Sequence, residues 1–548
     1  MAFREISRFL GRYLIYFTWI LCIPFAVAVL YEFFLDPQAH PQPHSSLAFA
    51  MTMATSLILA AFFLYFGKTA SGNFHRRESI LIVALVWLLT PAISALPFYF
   101  SRTLEKPIDA YFEAMSGLTT TGSTIFHSKA FDPATGQEVL LDVPSRTDID
   151  TVYHFYGTIA PVRDVQTGEI LHVGVEAVGK ALLFWRSFLQ WIGGMGIIVL
   201  FITILPALAM GGRFLFEAEV PGPTKEGMTP RIKETASLLW RIYLGLTAAQ
   251  VILLMLTNSS MPFFDALNLS FSTISTGGFS VRNEGLAAYH SLNTEWIVIL
   301  FMILGSLNFT LYFHCIRGKI YRIYEPEFFS FILTLLFGSA LMTFLLFNTP
   351  KILFGAQEGI FSFFEALRYG TFQAISSQTS TGFAIANYDL WPSSTQVLLL
   401  VLMFFGGMSG STAGGIKIIR HLILFRVIKH KIESIFRPHA IRCLKIGQRE
   451  ITDKTAITVL VFFAILIAFA VLGTFLLVTD GVDPHTAMGL IASSINNGGL
   501  SFNGAGPTES CALLSDFSKS ISILWMALGR LEFFILLVLL VPAFWKGK

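Results

Sequence analysis

Apolar and polar positions alternate along this chain in blocks of about 20 residues, the length a helix needs to cross a hydrocarbon core. Ten apolar runs are readable, roughly 13–35, 46–67, 78–100, 181–209, 235–257, 295–316, 328–348, 394–425, 455–478 and 520–545. Each predicts a membrane-spanning helix. The segments between them differ in basic content. The N-terminus, 68–77, 211–234, 317–322, 416–454 and the C-terminus together hold about two thirds of the 38 Lys and Arg residues, which by the positive-inside rule marks them as cytoplasmic. An even number of spans with this bias puts both termini on the cytoplasmic side.

Composition agrees and excludes a soluble enzyme. Hydrophobic residues are 54% and charged residues 13% of the 548, with a mean hydropathy of +0.65; a soluble fold of this size needs about twice that charged fraction for its polar shell. The net charge of +3 implies no nucleic-acid partner. Cys22, Cys315, Cys443 and Cys511 share no metal-ligand spacing and no disulfide framework follows. The basic start at Arg4, Arg8 and Arg12 before an apolar run resembles a cleavable signal, but the run reaches Leu30 and pairs with a second one, so a retained helix pair is expected.

The outer loops carry a repeat. Three of them contain a short apolar stretch, too short to span, that begins with an acidic residue and ends in hydroxyl and glycine residues: Asp109 to Thr119-Thr120-Thr121-Gly122, Asp265 to Ser275-Thr276-Gly277-Gly278, and Glu365 to Thr379-Ser380-Thr381-Gly382. A less regular fourth runs from Asp483-Pro484 to Asn496-Asn497-Gly498-Gly499. Aligned on Gly122, Gly277, Gly382 and Gly498, the intervals become about 100–115 residues once the polar stretch 127–180 is treated as an insertion, which reads as a fourfold duplication. Each unit is then a span, a half-helix, a loop and a second span.

A half-helix entering from outside points its negative C-terminal end at the membrane centre, and four such ends around one axis attract a cation. Irregular backbone is tolerated at that depth only where it is buried in protein or lines a water-filled cavity. Glycine permits backbone angles that turn successive carbonyls toward the axis, and rings of carbonyls replace an ion's hydration shell. Hydroxyls at Thr119, Thr120, Thr121, Ser275, Thr276, Thr379 and Thr381 add possible oxygen ligands. Oxygen ligands without a carboxylate ring suit an alkali cation rather than a divalent one.

Two further features lie inside predicted spans. The run 405–417, with Gly406, Gly407, Gly410, Ser411, Thr412, Gly414, Gly415 and Lys417, interrupts what would be one helix from 394 to about 430, and so much glycine is incompatible with a regular lipid-facing helix. It fails as a phosphate-binding loop because Ile416 precedes Lys417. A flexible gate and a simple kink are both open. Arg530 sits mid-span, where a charge costs at least ~2.5 kcal/mol and so tends to be functional; the bland reading is an ion pair with Glu532, Glu113 or Glu365. Asn308 joins Lys417 as a weaker candidate for a cavity wall. The outer insertion 127–180, rich in Asp, is either a small cap or a solvated loop.

With these residues in hand, the chain resembles the membrane subunit of Trk-type potassium uptake systems, in the Trk/Ktr/HKT superfamily. The resemblance extends to Trp185-Arg186-Ser187, to Gln190-Trp191-Ile192-Gly193-Gly194-Met195-Gly196, to Gly406 through Lys417 and to Gly529-Arg530, and covers the chain apart from 127–180. The N-terminal helix pair favours the Trk branch. The resemblance implies an all-α polytopic membrane protein of four pseudo-symmetric units around one pore plus the extra pair: 1–70, then units at 71–215, 216–320, 321–435 and 436–548. It implies potassium bound at a filter of Thr120, Thr121, Gly122, Ser275, Thr276, Gly277, Ser380, Thr381, Gly382, Asn496, Asn497, Gly498 and Gly499, a gate at 405–417, and Arg530 in the pore below the filter, where its charge sets a barrier to ion passage. No organic cofactor is expected. The expected partners are membrane lipid, a second copy and a cytosolic nucleotide-binding regulatory subunit, with 416–454 as a docking surface, in a bacterial cytoplasmic membrane. A secondary transporter for another monovalent cation or small solute is the alternative; it predicts inverted repeats, whereas these repeats share one orientation.

Overall fold

The computed structural model describes residues 3–35, 44–70, 76–132, 135–148, 151–164, 167–196, 232–354, 357–437, 444–447 and 449–546. Among them, six helices are long and apolar enough to span a membrane alone: Phe3–Phe33, Ser45–Phe66, Arg77–Phe100, Ala236–Thr257, Pro326–Leu346 and Asp453–Thr479. The first two form the expected N-terminal pair. They approach closely because Gly11 leaves no room for a side chain, a Cβ there lying 2.9 Å from the Ala60 carbonyl oxygen, as small residues allow in membrane helix pairs. The pair leans on the bundle through Trp185, which Phe17 and Phe49 face at ring distances of 6.3 and 6.1 Å and whose Nε1 donates to Ser94 O at 3.0 Å.

Three of the ten predicted spans are broken, and a fourth leaves the described residues. The run 295–316 is two helices, Leu292–Ser306 and Phe309–Ile316, meeting at 93°. Asn308 starts the second by accepting from Thr310 N at 2.9 Å. The run 520–545 bends by 108° after Asp516–Arg530, where Glu532 and Phe533 both take positive φ. The run 394–425 ends as a helix at Phe404 and resumes as Ile418–Phe436, so the start of the basic segment 416–454 is helical. Of 181–209, Lys180–Gly194 is helical. Its part from 197 onward, the unit boundary at 215–216 and most of the basic segment 211–234 fall outside the described residues.

Between the spans lie four short helices, Pro107–Leu118, Phe263–Ile274, Phe363–Gln378 and Pro484–Asn496. Their acidic starts are of two kinds. Asp483 and Glu365 cap: Asp483 accepts from His485 N and Thr486 N, and Glu365 forms a capping box with Ser362. Asp109 and Asp265 instead meet cations, Lys519 at 2.7 Å and Arg282 at 2.9 Å.

The insertion 127–180 is a cap rather than a solvated loop. It holds three antiparallel hairpins, Ala130–Phe131 with Glu138–Val139, Leu141–Pro144 with Val152–Phe155, and Val162–Arg163 with Ile170–His172. Alternation in Val152–Phe155 buries Tyr153 and Phe155. Tyr153 Oη donates to Asp483 Oδ2 at 2.5 Å and accepts from Asp483 N at 3.0 Å, so the cap grips the start of the fourth short helix. Asn503 Nδ2 donates to Ser145 Oγ at 2.8 Å, and Asn283 Nδ2 to Val173 O at 2.9 Å.

Loss of the Tyr153 hydroxyl leaves a buried carboxylate short of a donor, which costs about 1–3 kcal/mol. Tyr153→Phe in the detergent-solubilised protein is therefore expected to lower the unfolding temperature. Tyr156→Phe, at a ring that is 55% exposed, is expected to leave it unchanged.

Candidate functional site

All four short helices end alike. In the first, Thr120 takes φ +57°, its N–H bonds Gly117 O at 3.0 Å and Thr121 N bonds Ser116 O at 2.9 Å. Thr276 (φ +53°), Ser380 (+53°) and Asn497 (+49°) repeat this, with Gly277 N to Ser272 O, Thr381 N to Ser376 O and Gly498 N to Ser493 O at 2.8–3.0 Å. This is the Schellman ending, which normally places glycine in the left-handed position. Here three of the four are Thr or Ser, and each spends its own hydroxyl on the preceding carbonyl, at 2.7, 2.6 and 2.7 Å.

Two residues beyond each of these comes a glycine that is again left-handed: Gly122 (φ +86°), Gly278 (+80°), Gly382 (+87°) and Gly499 (+68°). Because the intervening residue has negative φ, the sign alternates along each segment. The four glycines form a closed ring. A Cβ on Gly122 would meet the Gly277 carbonyl oxygen, one on Gly278 the Thr381 oxygen, one on Gly382 the Gly498 oxygen at 2.7 Å, and one on Gly499 the Thr121 oxygen at 2.5 Å. Those oxygens, of Thr121, Gly277, Thr381 and Gly498, occupy one register position, so each segment's glycine makes room for its neighbour's carbonyl.

The register corrects the sequence alignment by one residue in two segments. Gly278 and Gly499, rather than Gly277 and Gly498, are the counterparts of Gly122 and Gly382, because each Gly-Gly pair offers two glycines and the left-handed demand falls on the second. The hydroxyls also have other work than the alignment suggested. Thr119 Oγ1 and Thr121 Oγ1 bond each other at 2.8 Å, as do Thr379 and Thr381, and Ser275 Oγ donates to Ser272 O at 3.3 Å. Asn496 Nδ2 donates to Ala492 O at 2.9 Å, and Asn497 Nδ2 to Thr121 Oγ1 and Met526 O, both at 3.0 Å. Backbone carbonyls are the oxygens the ring presents.

Above the ring a cavity of about 420 Å³ reaches all four glycines and is walled in part by the cap, at His127, Ser128 and Val173 to Val175. Its lining includes Arg186, whose charge is met by Glu113 at 2.5 Å, and Glu509, whose carboxyl burial pushes up. Beside it, burial pushes the Asp389 carboxyl up to about 7 against the pull of Arg146 and of the Asn503 N–H, which it accepts at 2.9 Å.

Below the ring lies the run 405–417. Its backbone is satisfied by the broken helix and by the short-helix ends. Met408 N donates to Ser306 O at 3.0 Å, Gly406 N to Ile416 O at 3.0 Å and Phe309 N to Gly410 O at 3.1 Å. Thr412 Oγ1 is 2.9 Å from the carbonyl oxygens of both Gly305 and Ile274. Gly414 N donates to Ser380 Oγ at 2.5 Å and Gly415 N to Asn496 O at 2.8 Å. Gly407 O accepts from Ile418 N at 3.2 Å, and Ser411 Oγ donates to Met408 O at 2.6 Å. Lys417 is buried and donates to Ala413 O. Gly410 and Gly415 take positive φ, and a Cβ on Gly414 would strike the Asn496 carbonyl.

Arg530 closes the fourth side. Its guanidinium donates to Gly193 O at 2.6 Å, Gly194 O at 3.0 Å, and Thr120 Oγ1 and Thr412 O at 3.3 Å each. The first two end the helix Lys180–Gly194, where a cation suits the dipole. The three carboxylates weighed as partners meet other cations: Glu113 meets Arg186, Glu365 meets Lys351 at 2.9 Å and Glu532 meets Arg420 at 2.6 Å. Two residues behind the ring escaped the sequence reading as individuals, Gln190 and Arg186. Their partners, Gly277 and Ser280, lie far along the chain.

Residues 165–546 match the family model described as TrkH, cation transport protein. The chain is 32% identical to the Trk system potassium uptake protein TrkH of Salmonella typhimurium over 100% of both chains. It is 32% identical to the Trk system potassium uptake protein TrkG of Escherichia coli K12 over 88% of each. Among solved structures, the potassium transporter TrkH from Vibrio parahaemolyticus superimposes with a TM-score of 0.78 at 30% identity, covering 100% of both chains.

The ring separates the two glycines of the fourth segment. Gly499→Ala puts a Cβ against the Thr121 carbonyl in a left-handed residue and is expected to cost over about 2 kcal/mol, whereas Gly498→Ala, whose Cβ finds only Ser380 atoms at 3.7–3.8 Å, is expected to cost under about 0.5 kcal/mol. Thermal unfolding checks both. The fold favours neutral Asp389, binding a proton between its ordinary 3.8 and about 7, so its stability penalty is absent below that window, grows as pH rises through it and is complete above. Asp389→Asn is therefore expected to raise the unfolding temperature at pH 8, with the gain shrinking toward pH 5.

Proposed function

This chain belongs to the TrkH family of cation transport proteins, and from that premise we propose that it carries potassium into the cell along a channel-like path. Ions enter the cavity beneath the cap, exchange water for the carbonyls of Thr121, Gly277, Thr381 and Gly498, and pass inward when the run 405–417 moves aside. The ring in which each glycine makes room for its neighbour's carbonyl is the observation that carries this reading. Carbonyl rings substitute for a hydration shell, and the negative ends of the four short helices add to the attraction for a cation. Inward flow gains about 2.3 kcal/mol per charge per 100 mV of membrane potential.

In this reading the chain divides into an N-terminal pair, 1–70, and units at 71–215, 216–320, 321–435 and 436–548. It sits in the bacterial cytoplasmic membrane with both termini inside, among membrane lipid, and works as a homodimer. Gly406, Gly407, Gly410, Ser411, Thr412, Gly414 and Gly415 are the gate: glycines let the backbone rearrange, and bonds from Gly414, Gly415 and Thr412 to the short-helix ends hold it shut. Arg530, bonded to both the gate and the first filter segment, is the electrostatic barrier. A cytosolic nucleotide-binding regulatory subunit engages the basic segment 416–454, whose helix Ile418–Phe436 continues directly from the gate.

Expressed with its regulator, the chain is expected to restore growth at low potassium to cells lacking uptake systems; no rescue at normal membrane levels would overturn the proposal. Arg530→Ala removes the barrier charge and one tie on the gate, and is expected to raise rubidium flux per molecule several-fold. Unchanged flux per molecule with reduced protein would mark Arg530 as structural only.

A further inference from the structure

The carbonyl ring is not held alike on its four sides. In the first and third segments the register position of the ring carbonyl is Thr121 and Thr381, whose hydroxyls bond those of Thr119 and Thr379 at 2.8 Å. In the second segment that position is Gly277, which has no side chain to clamp anything. The clamp comes instead from another unit: Gln190, fully buried on the helix Lys180–Gly194, donates from Nε2 to Gly277 O at 2.6 Å and accepts at Oε1 from Phe279 N at 3.2 Å. Both partners are backbone groups of fixed polarity, so the amide has one orientation that satisfies both.

The glycine and the glutamine depend on each other. Gly277 has negative φ and does not need glycine's conformational freedom. A Cβ there would fall on the Gln190 amide, with its Oε1 at 2.6 Å and Nε2 at 2.8 Å. One turn earlier on the same helix face, Arg186 Nη1 donates to Ser280 O at 2.9 Å, so Gln190 is part of a two-residue grip on the second segment.

We propose that Gln190 is a specificity-determining positioning residue: its amide tethers the Gly277 carbonyl outward, at the radius at which the ring favours potassium over the smaller sodium. A ring selects by the number, field and spacing of its carbonyls, and a segment released from its tether closes inward to ligate a smaller cation. This rests on the potassium-uptake reading and deepens it. Gln190 touches no ion; it acts through Gly277.

The test is uptake of ⁸⁶Rb⁺ against ²²Na⁺ by the purified full chain in proteoliposomes. In Gln190→Leu the rubidium-to-sodium ratio is expected to fall about tenfold, equivalent to ~1.4 kcal/mol, at comparable folded protein. Gly277→Ala alone, forcing a methyl into the amide, is expected to lose both ratio and uptake, and Gly277→Ala combined with Gln190→Ala to regain uptake at the lowered ratio. A wild-type ratio in Gln190→Leu, a wild-type ratio in Gly277→Ala, or no recovery in the double variant would overturn the inference. Should Gln190→Leu fail to fold, the Gly277→Ala pair decides alone. Absence of alkali-cation uptake by the wild-type chain would instead overturn the potassium reading itself and this inference with it.

Discussion

Four stretches of backbone have to meet at the middle of the bundle without side chains between them, and the rest of the structure follows from how that is achieved. A chain leaving a helix at that depth exposes N–H and C=O groups with no water to take them, at several kcal/mol each. The Schellman endings turn the N–H groups of Thr121, Gly277, Thr381 and Gly498 back onto their own helices. Left-handed Thr120, Thr276, Ser380 and Asn497 are strained by about 1–3 kcal/mol each. That is less than the orphaned groups would cost, and the hydroxyls of the first three recover part of it. The carbonyls at that register, of which that of Gly277 also accepts from Gln190, close into a ring because Gly122, Gly278, Gly382 and Gly499 carry no Cβ.

A ring made of four separate chain segments needs its spacing fixed, and beside the hydroxyl pairs within the first and third segments several ties come from neighbouring units. Gln190 and Arg186 of the first unit hold the second segment. Tyr388 Oη of the third unit donates to Ser501 O beyond the fourth segment at 2.7 Å, and Asp389 accepts from Asn503. The cap, inserted in the first unit, reaches Asn283 of the second and Asp483 and Asn503 of the fourth. The insertion thus spans the mouth of the cavity above the ring and braces segments that would otherwise be independent loops.

The sequence made the units legible because their signal is compositional: a short apolar stretch between an acidic start and Thr-Gly repeats wherever the same local ending is built. Whatever depends on direction was hidden. Hydropathy saw one span in 295–316 and one in 520–545 because a right-angle bend at Asn308 or at Glu532 and Phe533 leaves the apolar count unchanged. The Gly-Gly pairs hid the register because either glycine supplies the composition and only the backbone sign at Gly278 and Gly499 separates them. Gln190 stood in plain view within a glycine-rich motif, but its meaning lies in a partner 87 residues away. Asn497 is the one case where divergence carried its own explanation, since Asn is the side-chain-bearing residue that most readily takes the left-handed position at a helix end.

In the proposed path, the loop beneath the ring would let one set of groups serve two states. Its contacts to the short helices run through backbone atoms and single hydroxyls: Thr412 near Ile274 O, Gly415 to Asn496 O, Gly414 to Ser380 Oγ. The two carbonyls are among the orphaned acceptors that end any helix and carry its negative dipole end. With the loop in place they are satisfied and screened. In the proposed open state, with the loop withdrawn, they would face the axis unsatisfied, and a hydrated cation arriving from the ring above would satisfy them. Net hydrogen bonds of about 1 kcal/mol each are weak enough to break a few at a time, and each one broken exposes a group that water or the ion takes up. A greasier plug would bury the same path more firmly, but its opening would expose apolar surface that no passing ion could compensate; glycine and threonine are therefore the residues such a loop requires.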